Sequence, residues 1–251
     1  MADDDTVPFP QIDPKENQII LCCGRKKSGK SEWARQAFRA WPGVDRIVID
    51  PTGDADPGAP RLPNQPANWR DDLNTQMLTT LPAQLPPRQR VNGREVPGVY
   101  RWIINPLSPT VKEDRDRAIR LALFPKDRRT LLWIDEATKV LPAGATGPYG
   151  NLLLEQSRHF HASAILCCPR PMNIDVLALA QANRVIMFDV PGAADRKRLS
   201  DTLAWPHGEL VSLLNQVRKH PHSYLMYDSD HHEMYLCPPL PRPDKVPPMG
   251  M

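Results

Sequence analysis

Short apolar runs alternate with helical patterns along this chain, and that alternation restricts the possible folds more than any other feature. Each run is four to eight residues long, rich in Ile, Val and Leu and bounded by turn residues, as in strands covered on both faces of a parallel sheet. The segments between the runs place apolar side chains on one helical face. We therefore predict an α/β fold with a mostly parallel, doubly wound sheet. The predicted strands are 18–23, 46–50, 99–105, 130–135, 163–168 and 184–190, and the predicted helices are 31–41, 111–124 and 175–182.

The first predicted strand leads directly into Gly24-Arg25-Lys26-Lys27-Ser28-Gly29-Lys30-Ser31, which matches the phosphate-binding loop G-x-x-x-x-G-K-[ST]. Glycines let such a loop point backbone N–H groups at phosphate oxygens, and the helix that follows favours an anion at its N-terminus. We expect Lys30 to reach the β and γ phosphates of ATP and Ser31 to bind Mg²⁺. The predicted nucleotide site contains Gly24, Lys27, Ser28, Gly29, Lys30 and Ser31.

A later apolar run, 130–135, ends in two adjacent acidic residues, Asp135 and Glu136. At this separation from a phosphate-binding loop, Asp135 is expected to hold Mg²⁺, usually through water, and Glu136 to polarise the water that attacks the γ-phosphate. The adjacent glutamate favours hydrolysis over phosphate transfer to a small acceptor. The predicted fold is therefore a P-loop NTPase of the ASCE or RecA-like type, and the predicted activity is that of an ATPase.

With these motifs in place, the sequence resembles the FtsK–HerA group of ring ATPases, and within it the genome-packaging ATPases of tailless, membrane-containing phages. Three weaker segments carry the resemblance beyond the two general motifs. They are Ile47-Val48-Ile49-Asp50-Pro51, Ile103-Ile104-Asn105-Pro106-Leu107, and Ser157-Arg158-His159-Phe160-His161 leading into the run that ends at Cys168-Pro169-Arg170-Pro171.

The resemblance implies a motor that hydrolyses ATP with Mg²⁺ and moves double-stranded DNA into a viral capsid. Its partners would be duplex DNA, further copies in a ring of five or six, and capsid vertex or portal proteins, in the host cytoplasm or at the packaging vertex of the virion. Lys30 and Glu136 would be catalytic, together with Arg158, which matches an arginine that reaches the γ-phosphate of a neighbouring subunit. Arg170 and Arg184 are rivals for that role.

The sequence departs from the family pattern at Pro169, where a glutamine that senses the γ-phosphate is expected. Proline has neither a side-chain amide nor a backbone N–H, so the sensor is missing or is moved to Asn173 or Asn105. A nucleotide-binding structural component without turnover therefore stays open as an alternative. So does a virion assembly ATPase of the filamentous-phage type, although those proteins usually carry a membrane span.

Prolines divide the chain into a core and its attachments. Of the 29 prolines, eleven fall between 51 and 109 and six between 238 and 248, whereas none interrupts the phosphate loop, its helix or the acidic strand. We predict a flexible arm over 1–17, one ATPase domain over 18–237 with a proline-rich insertion at 51–98, and an extended tail over 238–251. The runs 222–227 and 233–237 are predicted to form an edge hairpin.

Composition excludes several other classes of protein. No run approaches the ~18 apolar residues of a membrane span, so no direct span is expected. Four of the five cysteines form two adjacent pairs without C-x-x-C spacing, and they are interpreted as reduced core residues. The seven histidines lack the spacing of a zinc site, so Mg²⁺ is the only metal expected.

DNA-contacting residues have the weakest signal in the sequence, because the formal net charge is only +3. The candidates are a glycine-bearing loop over 139–150 and the arginines of the 51–98 insertion. Phosphate-backbone contacts there would be independent of sequence and strongly dependent on salt. The charged stretch 112–129 mixes signs and is interpreted as a solvated helix face, while Arg25, Lys26 and Lys27 could serve the nucleotide or a subunit interface.

Overall fold

The computed structural model describes residues 17–41, 44–51, 75–78, 81–103, 111–125 and 128–240. These residues form eleven β-strands and six α-helices. The strands are β1 (Ile19–Cys23), β2 (Asp45–Asp50), β3 (Thr75–Leu78), β4 (Gln89–Val91), β5 (Arg94–Val96), β6 (Val99–Ile103), β7 (Thr130–Ile134), β8 (Ala162–Cys168), β9 (Arg184–Met187), β10 (Tyr224–Asp228) and β11 (Glu233–Cys237). The helices are α1 (Lys30–Ala40), α2 (Val111–Leu123), α3 (Pro148–Gln156), α4 (Val176–Ala180), α5 (Ala193–Leu203) and α6 (His207–Lys219).

Nine of the strands form one sheet in the order β11-β10-β9-β1-β8-β7-β2-β6-β3. The seven strands from β9 to β3 are parallel, and β10 and β11 continue the sheet as an antiparallel hairpin at its edge. The predicted doubly wound sheet and its edge hairpin are therefore confirmed. Because the parallel strands share one direction, the loops that follow them gather at a single carboxyl edge.

The central strands are apolar throughout because both of their faces are covered. Along β1, Ile19, Leu21 and Cys23 pack into one hydrophobic cluster, whereas Ile20 and Cys22 pack into the other. The second cluster includes Trp33 and Phe38 on the buried side of α1, and the first includes the apolar sides of α2 to α6. Alternating side chains thus serve two cores, which explains the uninterrupted apolar runs.

Two predicted helices are close to the observed ones, and three helices were missed. Helix α1 begins one residue before the predicted start, and α2 ends one residue before the predicted end. Helix α4 is shorter than the predicted 175–182. Helices α3, α5 and α6 were not predicted, and each buries only two or three large apolar side chains.

The proline-rich insertion contributes to the sheet. Residues 52–74 lie outside the described residues, but Thr75–Leu78 forms β3 and pairs with β6 at the sheet edge. Strands β4 and β5 form a separate hairpin whose turn, Asn92-Gly93, has φ values of 51° and 77°. Two consecutive positive φ angles are typical of the tight turn that Asn-Gly favours. The Asn105-Pro106-Leu107 turn, the 1–16 arm and residues 241–251 of the tail lie outside the described residues.

All five cysteines are buried and unbridged, as predicted. Burial raises the pKa of the Cys23 thiol to about 12, so this side chain stays neutral at ordinary pH. No helix in the described part of the chain is both long and apolar enough to cross a membrane.

Candidate nucleotide site

The phosphate-binding loop connects β1 to α1 at the carboxyl edge of the sheet, and its two glycines adopt conformations that side chains disfavour. Gly24 has a φ of 141° and Gly29 a φ of 114°. A Cβ on Gly24 would lie 2.8 Å from the Cβ of Phe188, and one on Gly29 would lie 3.0 Å from the ring of Phe188. Phe188, which follows β9, therefore packs against the loop at both Gly24 and Gly29.

Lys30 is the first residue of α1, and its side chain turns back over the loop. Its ammonium donates a hydrogen bond to the carbonyl of Arg25 at 2.9 Å, and the residue is 9% exposed. The first hydrogen bond of the helix runs from the Trp33 N–H to the Gly29 carbonyl at 2.9 Å. The backbone N–H groups of residues 30–32 therefore come before the first hydrogen bond within the helix. The Lys30 ammonium and the N-terminus of α1 thus lie together at the phosphate loop, which suits binding of a phosphate group.

Ser31 and Asp135 meet at this edge of the sheet. The Ser31 hydroxyl donates to the Asp135 carboxylate at 3.3 Å. Burial raises the pKa of Asp135 to about 6, with further contributions from the negative charges of Asp50 and Glu136. A hydroxyl and a carboxylate are ligands that Mg²⁺ prefers, and a dication there would offset the buried negative charge. These two residues therefore fit the predicted Mg²⁺ and would be the side chains that hold it.

Glu136 follows Asp135 directly, at the turn after β7. Its backbone is left-handed, with φ 53° and ψ 50°, and its carbonyl accepts the Lys139 N–H at 2.8 Å to close a 3₁₀ turn over Ala137–Lys139. The residue is partly exposed, whereas Asp135 is buried. The left-handed residue thus changes the chain direction between an inner carboxylate and an outer one. This arrangement suits a metal ligand followed by a base.

Asp50 is a third carboxylate at the same edge, which the sequence did not assign to the site. It ends β2, it is fully buried, and it accepts a hydrogen bond from Arg101 on β6 at 2.7 Å. Its charge is one of the causes of the raised pKa of Asp135. Only the pairing of β2 with both β6 and β7 brings these residues together.

Of the three candidate arginines, Arg158 and Arg184 lie on the amino edge of the sheet and Arg170 lies on the carboxyl edge. Arg158 is exposed in a 3₁₀ turn before β8, on the amino edge, beside a polar cavity of about 320 Å³. Strand β8 separates this turn from the phosphate-loop edge by roughly 23 Å. Arg158 therefore acts on a nucleotide only if that nucleotide belongs to another copy. The cavity is lined by Asn17, Ile19, Leu154, Glu155, Gln156, Ser157, Arg158, His159, Gln181 and Asn183.

The two rival arginines both have partners within the chain. Arg184 starts β9 on the amino edge, and its guanidinium contacts Asp228 and Asp230, both at 2.9 Å. Arg170 follows β8 on the carboxyl edge, with a half-exposed side chain that contacts the buried Asp195 at 3.2 Å. Arg184 thus forms ion pairs with the β10–β11 hairpin. Arg170, by contrast, lies at the carboxyl ends of the strands, as the phosphate loop does.

Pro169 occupies the predicted sensor position at the end of β8. The preceding carbonyl, that of Cys168, accepts the Gly24 N–H at 3.3 Å, so Pro169 is beside the start of the phosphate loop. Asn173 is exposed at the end of a 3₁₀ turn over Pro171–Asn173, and its carbonyl accepts the Ala143 N–H at 3.1 Å. The other candidate, Asn105, lies outside the described residues.

The loop predicted over 139–150 contains a β-bridge, a side-chain hydrogen bond and the start of a helix. Pro142 forms an isolated β-bridge with Ile174, and the Thr146 hydroxyl donates to Asp175 at 2.7 Å. Pro148 then starts α3, since a proline is favoured in the first helical turn. The expectation of one flexible loop through 150 is wrong at its C-terminal end.

Two further residues near the phosphate loop were missed by the sequence reasoning. The ring of His222 lies 3.4 Å from the Ser28 carbonyl, measured from Nδ1, and Asp189 contacts Arg25. No sequence signal pointed to either residue. Asp189 follows β9 and His222 follows α6, and only the tertiary fold brings them to the loop. Among the described residues, no group of three His, Cys, Asp or Glu side chains could hold a metal ion.

The strand order, with a phosphate-binding loop between the central β1 and α1, defines the fold of a P-loop NTPase. Among solved structures, the chain is similar to the genome packaging NTPase B204 from Sulfolobus turreted icosahedral virus 2 in complex with AMPPCP. The TM-score is 0.63 at 18% identity, covering 91% of this chain and 100% of B204. The DNA-packaging ATPase B204 from Sulfolobus turreted icosahedral virus gives a TM-score of 0.55 at 16% identity, covering 91% and 100%.

VirB4 of Thermoanaerobacter pseudethanolicus is also similar, with a TM-score of 0.60 at 11% identity, covering 94% of this chain and 92% of VirB4. The predicted resemblance is therefore confirmed at the level of the fold. No protein-family model and no curated protein sequence matches the chain.

Proposed function

We propose that this protein is a Mg²⁺-dependent ATPase that assembles into a ring and drives double-stranded DNA into a viral capsid. The single observation that carries the ATPase part is the meeting of Ser31 and Asp135 at 3.3 Å beside the ammonium-bearing phosphate loop. The packaging part is supported by the likeness in fold to the two B204 proteins, whose described activity is genome or DNA packaging.

The residues divide the work of hydrolysis. The N–H groups of the loop and the Lys30 ammonium would bind the phosphates, and Ser31 and Asp135 would hold Mg²⁺. When bound, the ion neutralises the negative charge that the phosphate oxygens carry in the transition state. Glu136 orients a water molecule for in-line attack and takes its proton. Arg158 of a neighbouring copy adds a positive charge at the γ-phosphate.

Ring formation follows from the position of Arg158 if that residue is catalytic. In one copy, the phosphate loop and Arg158 lie on opposite edges of the sheet, so neither can complete the other. A head-to-tail arrangement of copies would place the amino edge of one beside the carboxyl edge of the next, and such heterologous contacts form a ring when the rotation from copy to copy closes. We propose five or six copies, with capsid vertex or portal proteins as further partners in the host cytoplasm or at the packaging vertex.

The test is the ATPase rate of the purified protein with and without duplex DNA. We expect hydrolysis to need Mg²⁺, to rise several-fold with duplex DNA of any sequence, and to lose this stimulation as salt weakens phosphate contacts. The Glu136→Gln variant should lose turnover under both conditions. A rate that ignores DNA, together with an active Glu136→Gln variant, would remove the motor proposal.

A second candidate is a nucleotide-binding component of the virion without turnover. The observation that favours it is Pro169, which leaves the strand next to the phosphate loop without the expected amide sensor. Tight ATP binding and ring assembly, with no phosphate released in the presence of DNA, would support this candidate over the motor. The same assay therefore decides between the two.

A further inference from the structure

Asp189 joins two arginines that belong to different parts of the fold. It follows Phe188 at the end of β9, and its carboxylate is nearly buried, with 11% of the side chain exposed. One oxygen lies 2.8 Å from Nε of Arg25 in the phosphate loop, and the other lies 3.1 Å from Nε of Arg218 in the last turn of α6. Both carboxylate oxygens therefore bind a guanidinium.

Asp189 also holds Arg25 through the backbone. Its carbonyl accepts the Arg25 N–H at 2.8 Å, so Arg25 is bound at its main chain and its side chain by the same residue. The carbonyl of Arg25 in turn accepts the Lys30 ammonium at 2.9 Å. A continuous series of contacts thus runs from Arg218 on α6 through Asp189 and Arg25 to Lys30.

The electrostatics of this cluster make Asp189 hard to replace. The loop also carries Lys26 and Lys27, both exposed, so replacing Asp189 by a neutral residue removes a negative charge from a strongly cationic segment. An exposed ion pair usually contributes little, but here the acid is nearly buried and its partners come from two elements. Its loss should therefore move the loop, while the apolar core of the sheet stays intact.

We propose that Asp189 is a positioning residue for nucleotide binding and that, through Arg218, it couples helix α6 to the Lys30 ammonium. The inference rests on the nucleotide-binding part of the proposed function, and it requires neither DNA nor a ring. In the proposed function, the Lys30 ammonium binds the phosphates before the reaction as well as in the transition state, so a displaced Lys30 should weaken binding more than it slows turnover at saturation.

The experiment measures the Kd for a fluorescent ATP analogue with Mg²⁺, and KM and kcat for ATP, in the full-length protein. We expect Asp189→Asn to raise Kd and KM about tenfold, as when a hydrogen bond to a charged group is lost, and to leave kcat within about twofold. Arg218→Gln should raise Kd by about threefold to fivefold, because Arg25 keeps its own contact with the carboxylate. Arg218→Lys, which keeps the charge, should restore most of the affinity.

Lys219→Gln is the matched control, because it removes a positive charge from the same helix end one residue further along. It should leave Kd unchanged. The double variant Asp189→Asn/Arg218→Gln should bind no more weakly than Asp189→Asn alone, because the change at Asp189 already removes the contact that Arg218 makes with it. Melting temperatures of all variants, measured without nucleotide, separate displacement of the loop from loss of the fold.

Three results would overturn the proposal. They are wild-type affinity in Asp189→Asn, an equal loss of affinity in Lys219→Gln and Arg218→Gln, or a lower melting temperature with unchanged Kd in the folded protein. A wild-type protein that binds the analogue, with a hydrolysis rate that ignores DNA and an active Glu136→Gln variant, would remove the motor proposal and leave this test valid. A wild-type protein that binds no nucleotide would overturn both.

Discussion

The hydroxyl of Ser31 and the carboxylate of Asp135 lie 3.3 Å apart although 104 positions separate them in the sequence. Strand β8 lies between β1 and β7 in the sheet, and all three are parallel, so the residues that follow β1 and β7 emerge at one edge. A helix start and an acidic strand end are thereby brought together without any local contact between their sequences. This relationship makes the proposed hydrolysis testable one residue at a time.

Replacing Lys30 with alanine should abolish nucleotide binding. The ammonium is the only buried cation of the phosphate loop among the described residues, and we expect kcat/KM for ATP to fall at least about 100-fold. The measurement is phosphate release together with binding of a fluorescent ATP analogue. Lys197→Ala, an exposed change on α5, should leave both quantities unaffected, and tight binding by Lys30→Ala would contradict the assigned role.

Replacing Glu136 with glutamine should separate binding from turnover. The amide keeps the size of the side chain but does not accept the proton of the attacking water, so kcat should fall about 100-fold to 1,000-fold. Affinity for ATP should stay within about threefold, because Glu136 is not expected to contact the phosphates. Single-turnover kinetics would check this. The conservative change Glu113→Gln, at an exposed position of α2, is the control for loss of a surface charge.

The two glycines of the phosphate loop should tolerate no side chain. At Gly24 a Cβ would meet the Cβ of Phe188 at 2.8 Å, and the φ of 141° is strained for any L-residue. Gly24→Ala should therefore destabilise the protein by about 2–4 kcal/mol and weaken ATP binding. A Cβ added to Gly208, the second residue of α6, would meet no atom within 4 Å. Gly208→Ala should instead stabilise the protein by about 0.5–1 kcal/mol in chemical denaturation.

The raised pKa of Asp135 predicts how stability depends on pH without Mg²⁺ or nucleotide. The folded protein holds the Asp135 proton up to about pH 6, whereas the ordinary value is 3.8. Stability from this group is therefore fully present below about pH 4 and is lost as the pH rises through 6.

Asp135→Asn removes this titration. The variant should be more stable than the wild type at pH 7.5, by on the order of 3 kcal/mol, and the difference should vanish near pH 4. Urea denaturation at both pH values measures it. The exposed change Asp201→Asn should shift stability little at either pH. An Asp135→Asn variant that is less stable than the wild type at pH 7.5 would show that the buried charge of Asp135 does not destabilise the folded protein.

If Arg158 acts on the nucleotide of a neighbouring copy, two inactive variants should restore each other. Lys30→Ala keeps Arg158 but loses the phosphate site, and Arg158→Ala keeps the phosphate site but loses the arginine. We expect either variant alone to have at most a few per cent of wild-type ATPase activity, on the order of 100-fold reduced. Mixed rings should recover activity, with a maximum near equal amounts. Mixtures as inactive as their components would assign the arginine elsewhere, with Arg170 tested next in the same way.

Much of the sheet could be predicted because its strands carry their own signal. Strand β8 is predicted at 163–168 and observed at Ala162–Cys168, since an apolar run covered on both faces needs no partner to be recognised. Helices α5 and α6 were missed because their apolar stripes are narrow, with Leu199 and Leu203 buried on one and Leu210, Leu214 and Val217 on the other. Strand β3 was missed because it lies inside the proline-rich insertion and its sequence, Thr-Gln-Met-Leu, has no apolar run; only its pairing with β6 identifies it as a strand.

The sequence alone determined the chemistry of the phosphate loop. The order of glycines, lysine and serine in 24–31 requires a turn and a helix start that differ little between proteins, so local sequence was sufficient. The tertiary structure decided which side chains surround that loop. Asp50, Phe188, Asp189 and His222 reach it from the ends of two strands and one helix, and a parallel sheet gathers its strand ends whatever their distance along the chain. Local pattern therefore specified the loop, and strand order specified its surroundings.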